Sequence, residues 1–335
     1  MSGAQAVVIS MTFSAVALVF ILLRCTSRIF FVGRVLKEDI LICVAMVWSF
    51  GLSGAIEVER QNGMGEHIST VSPERFERML QAFYASVIVY NLGLTFAKCS
   101  ISCQFLSFFR ERKYRITAWF LIGFFATYGL VTLMVSTLAC TPVRYFWNRS
   151  IPGGKCIKFE IWWFFNAAVC IASDFVLCIL PLPMLKTLNI PRKQKYSLLA
   201  VFAVGGFVCI VAILRLHAVY VISKSTDPTY DNVAAAYWSS IELNTGIICA
   251  SMPTIRPIIA RIFPVCFGSA PRRSTTETVP GHHSHQEATR PTQLTTRSTM
   301  DEMTFCTVHD VVKCHFDHDG SINDQSTNRS ANNDV

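Results

Sequence analysis

Apolar positions along this chain come in long unbroken runs, not in the short alternation of exposed strands. Seven runs, at about 5–23, 40–56, 80–106, 116–138, 161–183, 197–221 and 235–262, each reach the length of a membrane span. A spanning helix needs roughly 20 mostly apolar residues, because each adds ~1.5 Å against a hydrocarbon core of ~30 Å. Polar punctuation separates the runs, and from residue 266 onward Ser, Thr, Asn, Asp and His dominate. The pattern predicts an all-α membrane protein, a seven-transmembrane-helix bundle over residues 1–265. The tail, 266–335, holds too little apolar surface to fold alone and is expected to be disordered.

Composition narrows the class further. Of 335 residues 52% are hydrophobic and 16% charged, with 25 Phe, which sets aside a soluble α/β enzyme. A net charge of +8 invites a nucleic-acid reading, but Lys and Arg sit in short clusters between the runs. Membrane orientation explains such clusters, so no nucleic acid is expected as a partner. Counting them loop by loop places 15 on the side of the 1–2, 3–4 and 5–6 connections and the seventh run's end, against 8 on the other. By the positive-inside rule the N-terminus is outside and the C-terminus cytoplasmic, and the plasma membrane is the expected location. Residues 1–23 lack a basic leading segment and end in Arg24, which reads as a retained anchor and not a cleaved signal.

Most of the 13 cysteines fall in or beside apolar runs and read as small packing residues. Cys140 and Cys156 differ, since both lie in the outer loop between runs 4 and 5, where oxidation is favoured, and are expected to form a disulfide. Asn148-Arg-Ser150 in the same loop is a glycosylation acceptor on the appropriate side. In the tail, Cys306, His309, Cys314, His315 and His318 are ligand types without the spacing of a zinc module, so no metal site is expected.

Ionisable residues inside a bilayer are costly and by default face a partner in the bundle interior. Lys98 lies about eight residues before the inner end of run 3, and Asp174 about nine before that of run 5. Both runs head inward, so the two groups share a depth and form a candidate ion pair. Arg215 and Glu242, six and seven residues from the outer side in adjacent antiparallel runs, form a second. Helix packing or snorkelling is the competing role for all four. His217 stands two residues beyond Arg215 as a titratable neighbour. Pro253 and Pro257 are expected to kink the seventh helix. No HExxH, GxSxG or phosphate-binding glycine loop occurs, and catalysis is not expected.

Several strings in order resemble the fungal rhodopsin-domain integral membrane family, which includes Pth-type receptors and membrane proteins of satratoxin-type toxin clusters. They are Arg24-Cys-Thr-Ser-Arg28 with Lys37-Glu-Asp39, Asn62-Gly-Met-Gly-Glu-His67, and Lys98-Cys-Ser-Ile-Ser102. Cys140-Thr-Pro142, Gly154-Lys-Cys156, Asp174 ahead of Leu180-Pro-Leu-Pro183, Arg215-Leu216, Trp238, Glu242 and Met252-Pro-Thr-Ile-Arg-Pro257 complete the series. The resemblance covers roughly residues 10–265 and adds His67 as an outer-loop candidate. Retinal is disfavoured as a cofactor, because residues 235–262 contain no lysine for a Schiff base. The expected function is a receptor-like protein that senses an extracellular or lipophilic small molecule and signals to a cytoplasmic protein. The alternatives are an accessory membrane protein of a secondary-metabolite cluster, in transport or self-tolerance, and a non-signalling structural membrane protein.

Overall fold

The computed structural model describes residues 2–108, 111–181 and 192–262. Long helices dominate them: α1 Gly3–Ser27, α2 Lys37–Gln61, α3 Pro73–Phe108, α4 Arg112–Thr137, α5 Phe159–Ile179, α6 Arg192–Lys224 and α7 Pro228–Ile262. The expected disordered tail, Pro183 and the cysteine and histidine residues beyond 265 lie outside the described residues.

Most of the helices outlast the apolar runs that announce them. The run marks only the depth in contact with hydrocarbon, whereas the backbone stays helical until a cap or turn stops it. At the start of α2, Asp39 Oδ2 accepts the Leu36 amide at 3.0 Å, and Glu38 and Asp39 place negative charge where the helix dipole favours it. After α1 a π-helical turn, Arg28–Val32, ends at Gly33 with φ 65°, a conformation that only glycine adopts without strain.

Six helices, α1 to α6, are long and apolar enough to cross a membrane. The seventh run is the exception. Its helix α7 carries Asn232, Ser240, Glu242, Asn244, Thr245 and Ser251, all buried, so its polarity faces protein and not lipid. The chain is thus a multi-pass membrane protein with a lipid environment, as the exposed Val8, Val19, Val47, Trp119, Phe120, Ile161 and Ile210 also indicate. Pro253 and Pro257 stay within α7, which runs unbroken to Ile262.

Helix α3 packs against α2, α4 and α7, and α7 packs against α1, α2, α3 and α6, while α5 lies on α6. Because lipid tails are as apolar as leucine, close approach and interhelical hydrogen bonds must hold such a bundle together. Gly129 supplies close approach: a Cβ there would run into the Thr95 side chain. Hydroxyls supply the bonds. Ser10 bonds Ser53 and Ser240 at 2.8 Å each, and Ser49 donates to Asn244 Oδ1 at 2.6 Å, joining α1, α2 and α7.

We call the end of the bundle bearing residues 62–72, 138–158 and 225–227 the first face, and the end bearing residues 28–36 the second. On the first face Cys140–Thr141 (β1) and Lys155–Cys156 (β2) pair antiparallel, and Cys140 and Cys156 are joined by a disulfide. Asn148 lies in the same loop, its Oδ1 accepting the Ser150 amide at 3.0 Å. Near the second face, Arg24 and Arg28 are not free loop charges. Arg24 is fully buried, with Nε 2.8 Å from Asp39 and Nη1 2.6 Å from the Ala250 carbonyl, while Arg28 reaches Glu38 at 2.8 Å.

Candidate functional site

Both candidate ion pairs meet at the centre of the bundle. Helix α3 carries Lys98 and α5 carries Asp174, and Lys98 Nζ stands 2.9 Å from Asp174 Oδ1. The same ammonium donates to Ser173 Oγ at 2.6 Å and to the Cys170 carbonyl at 3.2 Å. Arg215 on α6 stands 3.5 Å from Glu242 Oε2 on α7, donates to Ser239 Oγ at 3.2 Å, and lies over the Tyr90 ring at 4.3 Å. Tyr90 in turn donates to Glu242 Oε2 at 2.9 Å.

Cys170 turns the two pairs into one network. Its thiol donates to Glu242 Oε1 at 3.3 Å and lies 3.2 Å from Lys98 Nζ. Cys170, one of the cysteines within an apolar run, is thus more than a small packing residue: it is buried between two charges. The cluster holds two cations and two anions, so its net charge is zero, which limits the cost of keeping four ionisable side chains from water. Beside it, Tyr128 donates to Asn166 Oδ1 at 2.7 Å and Asn166 Nδ2 to Asn91 Oδ1 at 3.4 Å, a separate chain of bonds that shares a pocket wall with Lys98 and Cys170.

Cys170, Asp174 and Glu242 place potential metal-ligand atoms within 4.8 Å of one another. Lys98 and Arg215 already supply cations to the two carboxylates, so the trio is accounted for as an ion-pair network.

The network separates two cavities. The first, of about 80 Å³ open to water-sized molecules, lies toward the first face and is bounded by Glu59, Phe83, Tyr90, Trp162, Trp163 and Arg215. The second, of about 90 Å³, lies on the other side of the network and is bounded by Lys98, Asp174, Glu242, Phe105, Phe202 and Pro253. Each has room for several waters or for part of a small ligand. Asp174 Oδ2, beside the second cavity, is buried without a hydrogen-bond partner among the described residues.

A loop on the first face reaches over to the start of α7. Gly63 and Gly65 adopt φ 109° and 93°, and a Cβ on Gly65 would stand 2.6 Å from the Gly3 nitrogen. Glycine alone permits that approach. The loop then delivers His67, whose Nδ1 lies 2.7 Å from Asp227 Oδ2 and whose ring stacks on Tyr230 at 4.9 Å. The Ile68 amide donates to Asp227 Oδ1 at 3.1 Å. The hydrogen bond from His67, with a second from Thr229, holds the Asp227 carboxyl below its ordinary value of 3.8. A depressed carboxylate contributes its hold fully above the ordinary value and loses it as pH falls through the lowered one. Replacing His67 with Ala is accordingly expected to raise the Asp227 pKa toward 3.8 and to speed hydrogen exchange at the Ile68 amide.

His217, on the exposed side of α6, stands apart from the network, unlike its neighbour Arg215. Glu59, 1% exposed near the end of α2, is a buried carboxylate beyond the end of its apolar run. Run 2 was bounded at residue 56, yet Leu52, Ile56 and Glu59 follow the spacing of one helix face, which is the signal that could have found it.

A family model described as the fungal rhodopsin domain matches residues 23–261. A SAT4 family membrane protein of Emericella nidulans is 28% identical over 62% of this chain and 53% of its own length. The satratoxin biosynthesis SC1 cluster protein 4 of Stachybotrys chartarum is 24% identical over 52% of this chain and 63% of its own. The chain thus spans between about half and two thirds of the length of these two relatives. Receptor GIN3 of Arthrobotrys oligospora is 25% identical over 43% of this chain and 34% of its own. No solved structure matches.

Proposed function

The chain belongs to the fungal rhodopsin domain family, and from that membership we propose a seven-span, receptor-like membrane protein, N-terminus outside, whose bundle takes up a small extracellular or lipophilic molecule. The observation that carries the reading is the buried charged network set between two cavities. Charges used only to fix helices need no cavity beside them, whereas a ligand entering from the first face meets Arg215 and Tyr90 directly. A polar group on that ligand competes for Glu242, and Glu242 is bonded through Cys170 toward Lys98 and Asp174. Binding at one cavity is thereby coupled to the ion pair that borders the other.

The orientation rests on the excess of Lys and Arg on the second-face side. Arg24 and Arg28 give part of that charge to Asp39 and Glu38, but Arg34, Lys37, Arg112, Lys113 and Arg115 remain on the same side. Asn148 is then an outer glycosylation site, and the plasma membrane the working location. The reading calls for no retinal, since residues 228–262 hold no lysine, and for binding in place of catalysis.

A second reading is favoured by a specific observation, the resemblance to a satratoxin biosynthesis cluster protein. In it the protein is an accessory of a secondary-metabolite pathway, moving or tolerating a product. A deletion strain profiled for both secreted metabolites and transcripts decides between them. The receptor reading predicts an altered transcriptional response to an external cue. Loss of one metabolite's export while its pathway genes are still transcribed would overturn it in favour of the accessory role.

A further inference from the structure

The cavity toward the first face has a feature that the charged network does not use. Glu59 closes one side of it, 1% exposed, on the last turns of α2. One carboxylate oxygen, Oε2, accepts a hydrogen bond from Asn232 Nδ2 at 2.9 Å. The other, Oε1, is buried and receives no well-formed hydrogen bond among the described residues: the nearby Ser86 hydroxyl, on the same wall, donates to the Phe83 carbonyl at 2.9 Å. Such an oxygen is costly to leave unmet, because folding removes its water without supplying a donor.

Among the described residues no cation answers it. The adjacent Arg60 turns to Glu57 at 2.7 Å, and Arg215, across the cavity, is held by Glu242 and the Tyr90 ring. Among the described residues no ion pair includes Glu59. The rest of the wall is aromatic, with Phe83, Tyr90, Trp162 and Trp163, of which Phe83 and Trp163 meet edge to face at 6.1 Å. A carboxylate with a free oxygen and a set of ring faces are complementary to one kind of molecule: a compact cation carried on an apolar or aromatic body. The ammonium would meet Oε1 in a charge-assisted hydrogen bond and lie against ring faces that attract positive charge.

We infer that this cavity is a binding site for a small organic amine, its ammonium held by Glu59 Oε1 and its body lodged among Phe83, Tyr90, Trp162 and Trp163. The inference rests on the reading of the bundle as a small-molecule binder and names the class of molecule bound. An acidic ligand fits less well. It would bring a second anion beside Glu59, and the one guanidinium at hand, Arg215, already has Glu242.

The test uses the full chain in lipid nanodiscs, with tryptamine as probe and indole-3-propionate as an acidic counterpart of similar size. Tryptamine is expected to raise the thermal unfolding midpoint and indole-3-propionate to leave it unchanged. In Glu59→Gln, which preserves side-chain volume and an acceptor for Asn232, the affinity for tryptamine falls about tenfold or more. The midpoint of that variant without probe stays at or above that of the native chain. Should Glu59→Gln not fold, Glu59→Asp, which withdraws the carboxylate by one methylene, is expected to weaken tryptamine binding by a smaller factor.

The inference is overturned if tryptamine does not bind, if indole-3-propionate stabilises equally well, or if the Glu59 variants bind tryptamine as the native chain does. Binding of the acid alone would remove the amine assignment and leave the small-molecule reading in place. That reading fails separately, in the deletion strain.

Discussion

Replacement of Lys98 with Ala is expected to lower the stability of the folded bundle by about 3–5 kcal/mol, because it leaves Asp174 as a buried charge without its cation. The side chains are only 9% and 8% exposed and stand 2.9 Å apart. Asp174→Ala should do comparable damage for the mirrored reason, stranding the ammonium among Cys170 and Ser173. The two losses are coupled, so a double exchange, Lys98→Asp with Asp174→Lys, should recover much of what either single change removes. Thermal unfolding of the four proteins in detergent measures the coupling. Recovery of folding together with recovery of phenotype would mark the pair as helix glue. An exchanged protein that folds yet has lost its response would mark it as part of the site.

A comparable loss is expected from Arg24→Ala, near the second face. Arg24 is fully buried, pairs with Asp39 at 2.8 Å and caps the Ala250 carbonyl at 2.6 Å, tying α1 to α2 and α7. Removing it exposes Asp39 to an incomplete partner, since Arg28 reaches that carboxylate at 3.3 Å while also serving Glu38. The cost is again about 3–5 kcal/mol, and a second change, Asp39→Asn, should return part of it by withdrawing the unpaired charge. Expression and melting midpoint of the single and double variants check this. A single variant as stable as the native chain would show that Arg24 is not holding these helices together. Unlike Lys98, Arg24 borders neither cavity, so its variants should change folding without changing binding in the protein that does fold.

These two positions also show how far the sequence could be read. Depth bookkeeping reached Lys98, Asp174, Arg215 and Glu242, because a charge within an apolar run is conspicuous and the rise of a helix converts residue number into depth. It could not reach Cys170, whose residue type is ordinary in an apolar run and whose role comes only from lying between Glu242 and Lys98. Arg24 follows an apolar run and so resembles a loop residue in sequence, yet α1 continues to Ser27 and turns that side chain inward. Glu59, near the end of α2, is hidden from sequence for the same reason. Boundary residues are the hardest to place, since hydrophobicity reports contact with lipid and not the end of a helix.

The apolar character of α1 to α6 was legible for a related reason: these helices have lipid on one side. Helix α7 was legible as a helix, but its composition alone does not reach that of the others, because it spends its polar residues on neighbours. The pairing of Ser14, Ser49, Ser53 and Asn244 has no sequence signature, as serine is common at exposed and buried helix positions alike. The loop on the first face was legible only as a string, Asn62 to His67. Its reach to Asp227 depends on two glycines with positive φ and on the position of α7.

Access to the cavity from outside the cell is the most direct test of the reading as a receptor-like binder. Ser239 lines that cavity beside Arg215, and Ser239→Cys places a thiol there with little change in volume. The measurement is labelling of this cysteine by a membrane-impermeant, cationic thiol reagent applied to intact cells, with the native chain as background. Labelling in intact cells, slowed in a variant that fills the cavity such as Ser86→Trp, is the predicted result. Labelling of Ser239→Cys only after the membrane is permeabilised would contradict it, placing the first face inside the cell and the cavity out of reach of any external ligand.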